Sequence, residues 1–221
     1  RALECRVPPE RVRVVGLPVA RKFSRPIASR EAVRAELGWL PDAPAVLLVG
    51  GGSGMGPLGA IARRLAASGL PIQIAVVCGR NGALRAELEA ESWPLPVHVY
   101  GYVHNMPELM TASDMVVTKA GPSSIMEALH CGRPLVLSGA IPGQEDGNIQ
   151  YVLEKGCGLW APGPARVVDA VARLTNGSGG ELARMAARAV GLAKPDAARA
   201  IAQHIGGLMA QVRVESTPGC Q

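Results

Sequence analysis

Thr118-Lys119-Ala120-Gly121-Pro122-Ser123-Ser124-Ile125-Met126-Glu127 reads as the end of a buried strand, a turn of small residues and the start of a helix. The apolar run Met115–Val117 precedes it, and the helical pattern Ile125–Leu129 follows. Such a turn leaves backbone N–H groups without helical partners and aims the positive end of a helix dipole outward, which suits a phosphate. Gly121 permits close approach of a ligand to the backbone, and Pro122 suits a first helical turn, where no N–H donor is required. Glu127, one turn on, offers a carboxylate to two neighbouring hydroxyls, as on a ribose. The same letters carry a second reading: Ser124-x-x-Glu127 is a capping box, in which the serine caps the helix and the glutamate bonds back. On this stretch alone both readings stand.

Outward from it, the strand–turn–helix unit repeats. Ala45–Val49, Ile72–Val77, Val97–Tyr100, Leu135–Leu137 and Gly158–Trp160 are further strands. Helical segments fall between them: one ending near Ser68, then Asn81–Glu91, Met106–Ala112 and Asn148–Glu154. Ser29 caps a helix over Arg30–Leu37 that Gly38 and Pro41 stop, and three more helices are expected at about 164–175, 180–191 and 196–212. Val12–Val15 reads as a short strand. Alternation of this kind predicts an α/β fold, a Rossmann-like parallel sheet sandwiched by helices. Right-handed crossovers then gather the loops at the strands' C-terminal ends on one rim, where ligands of such sheets bind. The expected organisation is an interdomain linker over 1–28, the Rossmann-like domain over 29–192, and a C-terminal helix and tail over 193–221.

Composition narrows the function. The 221 residues are 48% hydrophobic but only 3% aromatic, so the core is built from aliphatic side chains and there are too few rings for a base-stacking surface. Net charge is +5, without any run of five or more Lys and Arg; this favours phosphates or anionic surfaces over nucleic acid. Five scattered cysteines (Cys5, Cys78, Cys131, Cys157, Cys220) and four histidines (His98, His104, His130, His204) show neither C-x-x-C nor metal-ligand spacing, which reads as a reduced, cytosolic chain without a bound metal. The chain begins at Arg1 with no signal peptide and no apolar run long enough to span a membrane, and is expected to be part of a longer protein.

Three further segments fall on the predicted rim. Gly50-Gly51-Gly52-Ser53-Gly54-Met55-Gly56 is a loop whose backbone can close on anionic oxygens. It lacks the Gly-Lys-Ser/Thr of a P-loop. Gly54-x-Gly56-x-x-Gly59 matches a dinucleotide fingerprint, but the second strand ends Val76-Val77-Cys78-Gly79-Arg80 where that fingerprint requires an acid. NAD is thereby disfavoured, and NADP is kept only through Arg80. Ile141-Pro142-Gly143-Gln144-Glu145-Asp146-Gly147-Asn148 offers amides and carboxylates that can grip sugar hydroxyls, or else is a solvated loop in which Asp146 or Asn148 caps the next helix. In the loop Val99–Met106, the backbone at Val103 can read the edge of a base.

These motifs, with Gly-Tyr-Val-x-Asn-Met at 101–106, resemble in order and spacing the monogalactosyldiacylglycerol synthases of glycosyltransferase family 28. The pattern is shared by bacterial diacylglycerol glucosyltransferases and, more distantly, by the N-acetylglucosaminyltransferase that completes lipid II; it covers about residues 7–192. The resemblance implies one half of a two-domain GT-B enzyme, the C-terminal half that holds the donor. It implies that Gly52, Ser53 and Gly54 approach the diphosphate and that Val103 contacts uracil. Gly121, Pro122, Ser123 and Ser124 would line the phosphates, with Lys119 neutralising charge; Glu127 would hold the ribose. Gln144 and Glu145 would face the hexose, with Asn148 nearby. The implied partners are a UDP-hexose and, through the missing N-terminal half, diacylglycerol at a membrane surface. The full enzyme is expected in the cytoplasm, peripheral on the membrane's inner face. The implied reaction is inverting transfer of a hexose, galactose foremost, with glucose or N-acetylglucosamine as alternatives. No cofactor and no metal are implied. The catalytic histidine base belongs to the other half and none of the four histidines here lies in its motif, so the fragment would bind without turnover. From another class, a plain NADP-binding Rossmann module remains.

Overall fold

Strands that are apolar on both faces demand cover on both faces. In the computed structural model, which describes residues 4–25, 28–54, 56–177 and 180–215 (the last six by backbone alone), six strands supply them. They are β1 (Ala45–Val49), β2 (Gln73–Val77), β3 (Val97–Tyr100), β4 (Met115–Lys119), β5 (Leu135–Gly139) and β6 (Gly158–Trp160). Between and around them run α1 (Arg30–Leu37), α2 (Leu58–Ala66), α3 (Gly82–Glu89), α4 (Met106–Ala112), α5 (Pro122–His130), α6 (Asp146–Glu154), α7 (Pro164–Asn176), α8 (Glu181–Leu192) and α9 (Ala197–Glu215). All strand pairs are parallel, in the order β3-β2-β1-β4-β5-β6. Val46, Leu48, Ile74, Val76, Met115 and Val117 share one core with side chains of α2 and α7. The alternate residues Leu47, Val116, Leu135 and Leu137 are equally buried. This is the predicted parallel sheet between helices.

The local signals act where expected at α1. Ser29 Oγ accepts from Ala32 N–H at 3.3 Å, and Gly38 closes the helix in the left-handed region at φ 68°. Away from the rim, fully buried Arg34 ties α1 to the start of β4: it donates to Ala112 O at 2.8 Å and meets Asp114 Oδ2 at 2.8 Å.

One expectation of the fold fails. Val12–Val15 forms no strand; Val14 is 93% exposed, and an extended segment without a ladder partner is not a sheet. The helix after β4 begins three residues before Ile125, at Pro122, the position expected to suit a first helical turn. The chain divides into two compact units, one Arg21–Ala193 and the other Arg1–Ala20 with Lys194–Gln221. In the sheet-bearing unit the turn Arg21–Ser24 buries Phe23, the chain's single phenylalanine, to 4% exposure and packs on α5. In the other unit, Arg13 Nη1 lies 3.2 Å from His204 Nδ1. Met55 of the glycine loop, Pro26 and Cys220 lie outside the described residues. The other four cysteines are free thiols. No helix among the described residues is long and apolar enough to cross a membrane.

Candidate functional site

The strand order reverses between β1 and β4, so the connections leaving these two neighbours run to opposite sides and open a crevice above their C-terminal ends. Val49 pairs with Thr118 at that point, which puts the loop 50–57 beside the turn 119–121. A cavity of about 220 Å³ lies there, lined by Val49, Gly56, Pro57, Lys119, Ser138 and Ile141 among others. The register of β4 on β5 slips between Thr118 and Lys119, a bulge that re-aims the strand end at the crevice mouth.

The glycines of this rim fall into two kinds. Gly54 sits at φ 60°, and a Cβ there would lie 2.0 Å from Cys78 O. Gly79 sits at φ 58°, and its Cβ would lie 2.7 Å from Gly52 O, which already accepts from Arg80 N–H at 3.0 Å. These two glycines let the β1–α2 and β2–α3 loops interlock. Gly52 differs: among the described residues nothing stands within 4 Å of the position its Cβ would take. Gly121 differs too, with φ −71° and only ordinary contacts beyond 3.5 Å, to Lys119 and Glu145. The fold requires glycine at neither Gly52 nor Gly121. Gly52 leaves bare, exposed backbone on the loop after β1, whereas Gly121 is itself buried.

Pro122 is the first residue of α5, Gly121 is its N-cap, and no side chain caps the helix. Ser124 therefore lies inside the first turn, at the third helical position, and cannot cap it; the capping-box reading falls. Among the described residues no backbone carbonyl accepts from the N–H groups of Gly52, Ser53, Ser123 or Ser124. Two of these amide donors lie on the loop after β1 and two at the positive end of α5, where an anion is favoured. Glu127 follows Ser123 and Ser124 on the same helical face. Burial pushes its carboxyl above the usual range, and the Lys22 ammonium opposes that rise. Cys131, one turn further, stays a thiol, with burial pushing it up to about 12.

Val103 lies on the rim loop after β3, and neither its N–H nor its C=O has a partner among the described residues. Beside it Tyr102, 53% exposed, carries the Arg80 guanidinium 5.2 Å from its ring centre and meets His104 edge-on at 5.4 Å.

The polar loop 141–148 is where sequence and structure part most. Gln144 is exposed, as expected of a sugar contact. Glu145 is 2% exposed: one carboxylate oxygen meets Lys119 Nζ at 2.9 Å and the other accepts from Ile141 N–H at 2.9 Å. Asn148 donates from its side chain to Ala120 O at 2.9 Å, and Asp146 accepts from Gly143 N–H at 3.1 Å, so neither caps α6. Lys119, Glu145 and Asn148 together strap this loop onto the 118–121 turn. Sequence reasoning also missed Lys22, which donates to His104 O at 2.8 Å. It lies in the segment expected as an interdomain linker, and periodicity carries no signal for a contact 82 residues distant.

The sheet has relatives among solved structures. WaaG, a glycosyltransferase involved in lipopolysaccharide biosynthesis, superposes with a TM-score of 0.60 at 21% identity, over 87% of this chain and 53% of that one. HepE of Anabaena, in complex with UDP, gives 0.61 at 18% identity, over 89% and 56%. These likenesses show the fold, a Rossmann-like parallel sheet between helices. In sequence, a probable chloroplastic monogalactosyldiacylglycerol synthase of Glycine max is 42% identical over 218 residues, 96% of this chain and 41% of the relative. The chloroplastic monogalactosyldiacylglycerol synthase 1 of Arabidopsis thaliana is 41% identical over 204 residues, 89% and 38%. The chain thus spans less than half the length of these curated relatives. Residues 46–200, from β1 into α9, match the profile described as glycosyltransferase family 28 C-terminal domain. The chain belongs to that family.

Proposed function

We propose that this chain is the donor-binding half of an inverting glycosyltransferase that moves a hexosyl group, galactose foremost, from a UDP-sugar to the free hydroxyl of diacylglycerol. The observation that carries the reading is the crevice at the β1/β4 reversal, flanked by the exposed backbone of Gly52 and by four amides that lack partners among the described residues. A diphosphate fits that chemistry: its oxygens accept from the Gly52, Ser53, Ser123 and Ser124 amides at the positive end of α5. Glu127, as a carboxylate, accepts from the ribose hydroxyls, and the free backbone of Val103 reads uracil. Gln144 meets the hexose. Glu145 holds Lys119 and the 141–148 loop in place, and meets the sugar only if one of its two bonds opens.

As the glycosidic bond breaks, charge develops on the departing diphosphate. Amides already oriented toward it stabilise that charge without reorganising. The acceptor hydroxyl loses its proton to a base supplied by the other half, so this chain binds the donor and turns nothing over alone. The names of the relatives support galactose and diacylglycerol, and the UDP in HepE supports the nucleotide. For the whole enzyme we place the site of action at a membrane surface, reached peripherally from the cytoplasmic side.

Calorimetry on the 221-residue chain sorts the alternatives. UDP, UDP-galactose and UDP-glucose are each titrated beside NADPH, and the uridine ligands are expected to bind while NADPH does not. Binding of NADPH without UDP overturns the reading, and robust sugar transfer by this chain alone overturns the placement of the base.

A further inference from the structure

The Gly101–His104 backbone, which carries Val103, is held by little of its own. Among the described residues its one hydrogen-bond partner is the Lys22 ammonium, which donates to His104 O at 2.8 Å. Lys22 itself is fixed from below. It belongs to the turn Arg21–Ser24, anchored on α5 by buried Phe23, and its Nζ lies 5.5 Å from the Phe23 ring centre. Its charge also bears on Glu127, the half-buried carboxylate of α5. One side chain thus touches the turn, the Val103 loop and the field around Glu127.

We infer that Lys22 is a positioning residue for the nucleoside end of the donor, fixing the loop that presents Val103 against the helix that presents Glu127. The inference rests on the donor reading above. It locates the dependence at one end of the ligand, because the diphosphate amides of Gly52, Ser53, Ser123 and Ser124 have no contact with Lys22 among the described residues. Removing the ammonium frees the Val103 loop and leaves Glu127 without its opposing charge, while the phosphate cradle is unchanged.

The test uses Lys22→Met and Lys22→Arg in the 221-residue chain, with affinities for UDP, uridine and inorganic pyrophosphate. Lys22→Met should weaken UDP and uridine by the same factor, about tenfold for one charge-assisted hydrogen bond. Pyrophosphate affinity should be unchanged, the melting temperature should hold because Lys22 is exposed, and Lys22→Arg should recover most of the loss. Unchanged UDP affinity in Lys22→Met, or a parallel loss of pyrophosphate, overturns the role of Lys22 while leaving the donor site standing. Failure of the unsubstituted chain to bind UDP takes down both.

Discussion

Glu127→Ala is expected to weaken UDP binding by about 1.5–3 kcal/mol, the range for hydrogen bonds to a charged group. The fold should not suffer. Glu127 caps nothing, because α5 starts at Pro122 with Gly121 as its N-cap and no side chain bonded there. Glu127→Gln sharpens the result. Burial disfavours the carboxylate, so the folded protein holds this proton more tightly than the unfolded chain. Above the raised folded pKa the ionised group costs stability; that cost shrinks as the pH falls through it and is gone below the unfolded value. At neutral pH the glutamine variant should therefore melt no lower than the parent, and somewhat higher, while binding UDP less well. The parent's own UDP affinity should fall as acid protonates Glu127. The groups that bear on this titration are Lys22, whose charge keeps the carboxylate ionised to lower pH, and Cys131, which stays neutral throughout. Calorimetry and thermal melts across that pH range check both signs. Lost stability with unchanged UDP affinity would return Glu127 to a purely structural role.

Gly54→Ala and Gly52→Ala, two residues apart, should behave as opposites. At Gly54 a methyl group would lie 2.0 Å from Cys78 O, on a residue held at φ 60°, and backbone cannot yield as a flexible side chain does. The strain of a left-handed alanine together with that overlap should cost roughly 3 kcal/mol or more. Gly52→Ala meets nothing within 4 Å among the described residues, so its stability should stay within about 0.5 kcal/mol of the parent. It should nevertheless weaken UDP binding, since the methyl group stands where a phosphate is to approach the backbone. Denaturant melts and UDP titrations of the pair check this. A stable Gly54→Ala, or a Gly52→Ala that binds UDP as the parent does, would contradict the division of the glycines.

Much of the fold was legible because strands buried on both faces must read as continuous apolar runs. Ala45–Val49 was bounded to the residue for that reason, and the Ser29 and Gly38 signals bounded α1. The start of α5 was legible only as one of two readings. A proline at the first position behind an extended glycine begins a helix as well as a capping serine does, and Ser124-x-x-Glu127 imitates a cap one turn too late. Composition also could not separate Gly54, needed for packing, from Gly52, which is not; that distinction depends on where Cys78 O lies in space. The pairing of Lys119 with Glu145 spans 26 residues, and each partner on its own looked like a ligand contact. Long-range polar ties of this kind leave no periodic trace. They decide which of the charged residues on the rim remain available to a substrate.

A crystal structure of the chain with UDP tests the central claim most directly. The account predicts the diphosphate at the N-terminus of α5, within hydrogen-bond distance of the Ser123 and Ser124 amides and of the Gly52–Ser53 loop, with both ribose hydroxyls on Glu127 and uracil at Val103. UDP bound elsewhere on the sheet, or with its ribose turned away from Glu127, would contradict it.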